Sequence, residues 1–367
     1  MHNTITELEI SNFKSIKNIK MDCKRINVLI GRPNVGKSNI LEALSLFITP
    51  YDSSQFFLKE YVRYEKINNL FYDQDRKNAI IIKSDIGVVA LRYHMNNINA
   101  YDILVLPDER LLNIMNQPDN GFSLNEKGSF LRNEINKIPI DKTAAPPLYY
   151  YGSVSDNSAI HALYTTSQAG YDTPIKNYKF KPLNEFTNHF PLFLSPPHGD
   201  NLYTILEGNP ELYEEFAAFF NAYHLDLTLN VTSEKIEIQK KVGRRVYASP
   251  YSLSADTLQR IIFHLAAIKT NKNSIILFEE PENHSFPAYI SQVADAVIES
   301  KDNQFFIATH SPYLLMPFIE QCPFDDIAIF IVDYENHATI IKALSKEEMQ
   351  DILDSGVDIF FNLSAYK

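Results

Sequence analysis

Over its first fifty residues the chain passes from alternating apolar and polar positions to a short continuous apolar run, and then to apolar residues at helical spacing. Leu8 and Ile10 alternate with Glu7 and Glu9, the chain turns through residues 12–15, and Ile16 and Ile19 resume the pattern. Two half-buried strands are predicted. Residues 27–30 read Asn-Val-Leu-Ile, as in a strand buried on both faces, and Ile40, Leu41, Leu44 and Phe47 then share one face of a helix.

From 49 to 185 the character changes. Short apolar runs at 79–82, 88–91 and 103–106 are dispersed among Asn, Tyr, Asp and Lys, which predicts an α+β insertion with helical candidates at 111–115 and 123–138 and loops at 144–147 and 152–177. Beyond it the pattern predicts a helix at 211–223 and strands at 225–231 and 236–238. A helix carrying Ile261, Ile262, Leu265 and Ile268 follows, then buried strands ending near 279 and 308, a strand at 328–332 and a helix at 346–353. Strands alternating with helices predict an α/β fold with a central, mostly parallel sheet.

A chain of 367 residues, 45% hydrophobic, can bury a large core and is long enough for two domains. No apolar segment nears the ~20 residues of a membrane span, and residues 1–9 carry no secretory signal pattern, so a cytoplasmic protein with no membrane contact is expected. Cys23 and Cys322 form no disulfide or zinc pattern and read as core packing. The net charge of −11 argues against indiscriminate nucleic-acid binding. The basic turn of Lys240, Lys241, Val242, Gly243, Arg244 and Arg245 reads as a solvated hairpin tip in preference to a phosphate-contacting loop.

Candidate chemistry begins between the 27–30 run and the first helix, where Gly31-Arg32-Pro33-Asn34-Val35-Gly36-Lys37-Ser38 has the spacing of a phosphate-binding loop. Gly31 and Gly36 let successive amides point at phosphate oxygens, and the helix adds its positive end. Lys37 is placed to reach the β- and γ-phosphates, and the Ser38 hydroxyl suits Mg²⁺, which takes oxygen ligands.

With residues 5–21 and 26–44 the loop resembles the N-terminal lobe of the RecF/SMC/OLD-like ABC-type AAA family ATPases, which commonly have Asn where Asn34 stands. The resemblance covers about 1–50 and 186–345. It implies an ABC-type P-loop ATPase head whose lobe is made of 1–48 and 186–367, with Walker A in the first part and the 49–185 insertion between. Three further motifs match in order. Ser254 in Leu253-Ser254-Ala255-Asp256 stands at the signature serine, although Ala255 and Asp256 replace the family's glycines, and hydroxyl and carboxylate residues there also suit a helix N-cap. Glu279 and Glu280 end a strand as Walker B, Glu279 implied to hold Mg²⁺ and Glu280 to orient the attacking water. His310 in Thr-His-Ser-Pro matches the switch histidine that senses the γ-phosphate.

The resemblance implies slow Mg-ATP hydrolysis, a homodimer or higher oligomer in which Ser254 faces the other subunit's nucleotide, and DNA or a separate effector, such as a nuclease, as partner. Similar stand-alone ATPases often belong to bacterial anti-phage or toxin-like modules beside a nuclease, a setting carried over here by the resemblance alone. No long coiled coil is predicted, no Toprim nuclease is expected after 354–361, and the family's glutamine loop is left open among Gln55, Gln74 and Gln117. Two rival readings are a non-hydrolysing, nucleotide-gated scaffold or sensor, motivated by the altered signature, and an Era-like GTPase, whose Asn-Lys-x-Asp loop is met at 271–274 only by Asn-Lys-Asn-Ser.

Overall fold

The structure, a computed structural model, describes residues 3–48, 57–93, 100–110, 112, 133, 150–155, 160–165, 173–187, 192–356 and 358–366. The predicted strand pair is present as β1 (Glu7–Phe13) and β2 (Ile16–Asp22), antiparallel with Ile10 opposite Ile19. The continuous run forms β3 (Ile26–Ile30), and α1 (Lys37–Ser45) follows the loop.

Three sheets organise the chain. Six strands lie in the order β16-β15-β3-β14-β13-β9, with β9 at Ile175–Tyr178, β13 at Ile275–Glu279, β14 at Gln304–Ala308, β15 at Ile327–Glu335 and β16 at Ala338–Ala343. All its pairings are parallel except that of β15 with β16. Successive side chains of a strand point to opposite faces, and the core divides accordingly. Val28, Ile30, Ile276, Phe278, Phe305 and Ile307 pack with helices α3 to α7, namely Leu202–Gly208, Pro210–Asn221, Asp256–Thr270, Pro287–Glu299 and Pro312–Gln321. Leu29, Ile275, Leu277, Phe306 and Ala308 pack on the other face with α1 and the β1–β2 hairpin. A short helix α2 (Phe57–Tyr61) precedes the second sheet, and α8 (Lys346–Ser355) and α9 (Ile359–Asn362) follow β16.

The 49–185 segment is built into the head through both large sheets. Strands β4 (Ile80–Ser84), β5 (Gly87–Tyr93), β6 (Ala100–Leu106), β7 (Tyr150–Ser155) and β8 (Ile160–Thr165) extend the β1–β2 hairpin into a seven-stranded antiparallel sheet in which β1 pairs with β4. Strand β9 joins the parallel sheet beside β13. The loop expected at 152–177 is therefore corrected: main-chain pairing to β6 and β13 holds polar segments as strands despite weak apolar patterning. Both helical candidates fall, apart from residues 112 and 133, outside the described residues, as do Gln55 and Gln117, while Gln74 ends a 3-10 turn.

A third, antiparallel sheet joins β10 (Asp226–Asn230), β11 (Lys235–Val242) and β12 (Arg245–Pro250). The basic turn is the exposed tip of the β11–β12 hairpin, with Lys241 paired to Asp226 at 2.9 Å. Cys23 and Cys322 are both buried thiols. No helix among the described residues is long and apolar enough to cross a membrane.

Candidate functional site

The loop between β3 and α1 has a conformation and a fit that its glycines permit. Gly31 and Gly36 hold φ at 153° and 107°, and Asn34 is left-handed at 62°. A Cβ on Gly31 would stand 2.2 Å from the Val332 carbonyl oxygen, and one on Gly36 2.2 Å from Thr339 Oγ1. Side chains there would collide with β15 and β16, so both positions need glycine for contact as well as for φ. Thr339 locks the arrangement: its hydroxyl donates to the Val35 carbonyl at 2.8 Å and lies 2.6 Å from Ser15 Oγ, to which Asn39 also donates. Lys37 is buried, and its ammonium donates to the carbonyls of Gly31 and Arg32 at 2.9 Å each. Burial pulls its pKa down to about 8, opposed by Glu280, Glu279 and Glu282. A phosphate would supply the close anionic partner that these carbonyls cannot.

The facing wall comes from two adjacent parallel strands. Glu279 on β13 is in register with Ala308 on β14, so the turns that follow, 280–285 and 309–311, lie side by side. The Glu280 amide donates to the Ala308 carbonyl at 2.8 Å, and Glu280 itself is left-handed with φ 47°. Its Oε1 lies 3.4 Å from His310 Nε2, and Asn283 Nδ2 donates to its Oε2 at 2.6 Å. Burial, assisted by the charge of Lys37 and opposed by Glu280, lowers the pKa of His310, which favours the neutral imidazole.

These walls enclose a cavity of about 560 Å³ lined by Asn34, Gly36, Lys37, Ser38, Glu280 and His310, and also by Lys14 and Arg63. The last two were not legible as site residues. Glu42 on α1 is 1% exposed and binds both: Lys14 Nζ pairs with its Oε2, and Arg63 Nε donates to its Oε1 at 2.6 Å. Arg63 then reaches Glu279 Oε1 at 3.1 Å, which links Glu279 to the cavity wall. A carboxylate on the buried side of α1 is the one sequence signal for this network, since an acid there must be paired.

Ser254 lies elsewhere. It borders a second cavity, of about 710 Å³, together with Tyr247, Leu253, Phe286 and Tyr289, at the start of α5. The expected N-cap is corrected: the Ser254 hydroxyl donates to the Tyr251 carbonyl at 2.7 Å, and Ala255 occupies the cap position with no side-chain bond. Asp256 is turned to Arg260 at 2.6 Å.

The pattern of this chain matches the AAA ATPase domain over residues 4–315. The chain belongs to that family. This ATPase is 22% identical over 341 residues to an ATP/GTP phosphatase of Helicobacter pylori, covering 84% of this chain and 85% of the relative. Among solved structures it is similar to the Smc head bound to the C-terminal winged-helix domain of ScpA, with a TM-score of 0.50, 17% identity, and 95% and 99% of the two chains covered. The chain thus has the fold of an Smc head, in line with what the motif order implied.

Proposed function

We propose that the cavity between the loop at 31–38 and the Glu280–His310 pair is an Mg-ATP hydrolysis site. The observation that carries this reading is the approach of Glu280 to His310, 3.4 Å apart, on a wall facing Lys37 and Ser38. Lys37 exchanges its two carbonyl partners for β- and γ-phosphate oxygens. Asn34 and the amides of the glycine-bounded loop cradle the phosphates. Ser38 and Glu279 supply the oxygen donors that Mg²⁺ requires, and the ion, when bound, neutralises charge on the phosphates. Glu280 orients and deprotonates the attacking water, and neutral His310 donates to the γ-phosphate and registers its loss.

Position supports the pairing of two copies. Ser254 is half-buried beside exposed Leu253 and Phe286 and borders a cavity other than the one holding Lys37, and release of its hydroxyl from the Tyr251 carbonyl would free it for the γ-phosphate of a second subunit. Nucleotide turnover then opens and closes the pair, and the change is delivered to a separate effector chain or to DNA, in an anti-phage setting of the kind the family resemblance implies. A structural observation weighs against the GTPase reading. Asn271, in the stretch nearest a guanine-reading loop, is buried and donates to Tyr178 Oη and the Ala267 carbonyl, and it precedes β13 at the end away from Glu280.

The test is nucleotide binding by wild type and Lys37→Ala, with ATP and GTP in competition. The variant is expected to lose ATP affinity by about 100-fold or more, because charge-assisted bonds to phosphate are the strong ones here. Affinity retained within a few-fold, or preference for GTP, overturns the assignment.

A further inference from the structure

Glu282 stands three residues past Walker B and does not line the nucleotide cavity. Its side chain turns back into the protein, where Oε1 accepts the Thr309 hydroxyl at 2.7 Å and the His310 main-chain amide at 2.7 Å. Thr309 is fully buried, and its Oγ1 in turn accepts the Ser311 amide at 3.0 Å. The other carboxylate oxygen, Oε2, is buried without a hydrogen-bond partner, an arrangement that costs free energy and that an apolar side chain would avoid. Asn283, the next residue, holds Glu280 Oε2 at 2.6 Å.

We propose that Glu282 is a positioning residue that fixes the separation of Glu280 and His310 by clamping the turn after β14 to the turn after β13. The inference rests on the Mg-ATP reading of the cavity and assigns a task within it. Without the clamp, the two turns are joined at this point by the single Glu280-to-Ala308 main-chain bond and by the 3.4 Å approach that the clamp itself maintains. Glu282 does not line the cavity, and both of its bonded donors, the Thr309 hydroxyl and the His310 amide, belong to the turn after β14. Burial raises its pKa, and the two donors oppose that shift, consistent with a carboxylate retained for the bonds it accepts.

Glu282→Ala and Glu282→Gln in the full chain separate this role from a general structural one. The alanine variant is expected to lower kcat for ATP by about 10-fold or more, since small misplacements of reacting groups are costly, while ATP affinity stays within about 3-fold. The glutamine variant keeps an oxygen able to accept both bonds and is expected to recover most of the turnover. A readout independent of ATP is deuterium exchange at the His310 amide, expected to accelerate by about 10-fold or more in the alanine variant. If Glu282→Ala does not fold, Thr309→Val removes one of the two bonds and is read in the same assays. Unchanged kcat and unchanged exchange overturn the clamp, and so does a glutamine variant as impaired as alanine, which would mean that the charge itself acts. Should wild type show no turnover at all, the ATPase reading fails separately and the exchange experiment still decides the clamp.

Discussion

His264 lies on α5 at 4% exposure, edge-on to Phe278 of β13 at 5.2 Å and to Phe263 at 5.3 Å. Burial there pushes its pKa down to about 3, from an ordinary value of 6.5. As pH falls below the ordinary value, the unfolded chain takes up a proton that the folded chain refuses until the lower value is reached. The stability of the buried neutral form is therefore complete above about pH 7 and is lost progressively through the interval below it. At ~1.4 kcal/mol per pH unit, the penalty reaches about 2 kcal/mol at pH 5. In His264→Phe an aromatic ring remains between Phe263 and Phe278 and nothing titrates. Its packing cost is the same at every pH. The assay is Tm across the pH range for both proteins, with carboxylate titrations common to the two. Wild type should lose about 4 °C more than the variant between pH 8 and pH 5, from ~2 °C per kcal/mol for a chain of this size. Parallel pH profiles would show that His264 is not held neutral between those rings, and the argument would fail.

Arg63→Met removes a cation that lines the cavity beside Lys14 and Lys37. ATP affinity should fall by about 10-fold at low salt, read by nucleotide titration. Unchanged affinity would confine Arg63 to Glu42 and Glu279. Ser254→Arg should abolish ATP-dependent pairing, read as molecular mass with and without ATP, and leave nucleotide binding intact. Undiminished pairing would place the contact between copies elsewhere.

What the sequence disclosed, and what it did not, follows from how locally each feature is encoded. The loop at 31–38, the strand ending at Glu279 and the turn at His310 are contiguous stretches in which apolar runs and special residues adjoin, and their order implied the fold that the relatives share. Strands β7 and β8 were read as loop because their pairing is made by main chain, which leaves little trace in residue type. Strand β9 misled in another way. Its Ile-Lys-Asn-Tyr looks half exposed, yet all four residues are buried, with Asn177 donating to Ser45 Oγ at 2.8 Å at the end of α1. Residues that complete the site are distant in sequence: Lys14 and Arg63 meet at Glu42, and Arg63 joins it to Glu279. Only the fold brings such pairs together, so no spacing rule could name them.

The central claim is that Glu280 acts on the water while Lys37 and the loop bind the phosphates, and that the two tasks are separable. It is tested most directly by measuring ATP turnover and ATP affinity together for Glu280→Gln, a change that keeps the side chain's shape and removes its basicity. Turnover should fall by about 100-fold or more with affinity within a few-fold of wild type. Turnover close to wild type would contradict the account and move the chemistry to another residue.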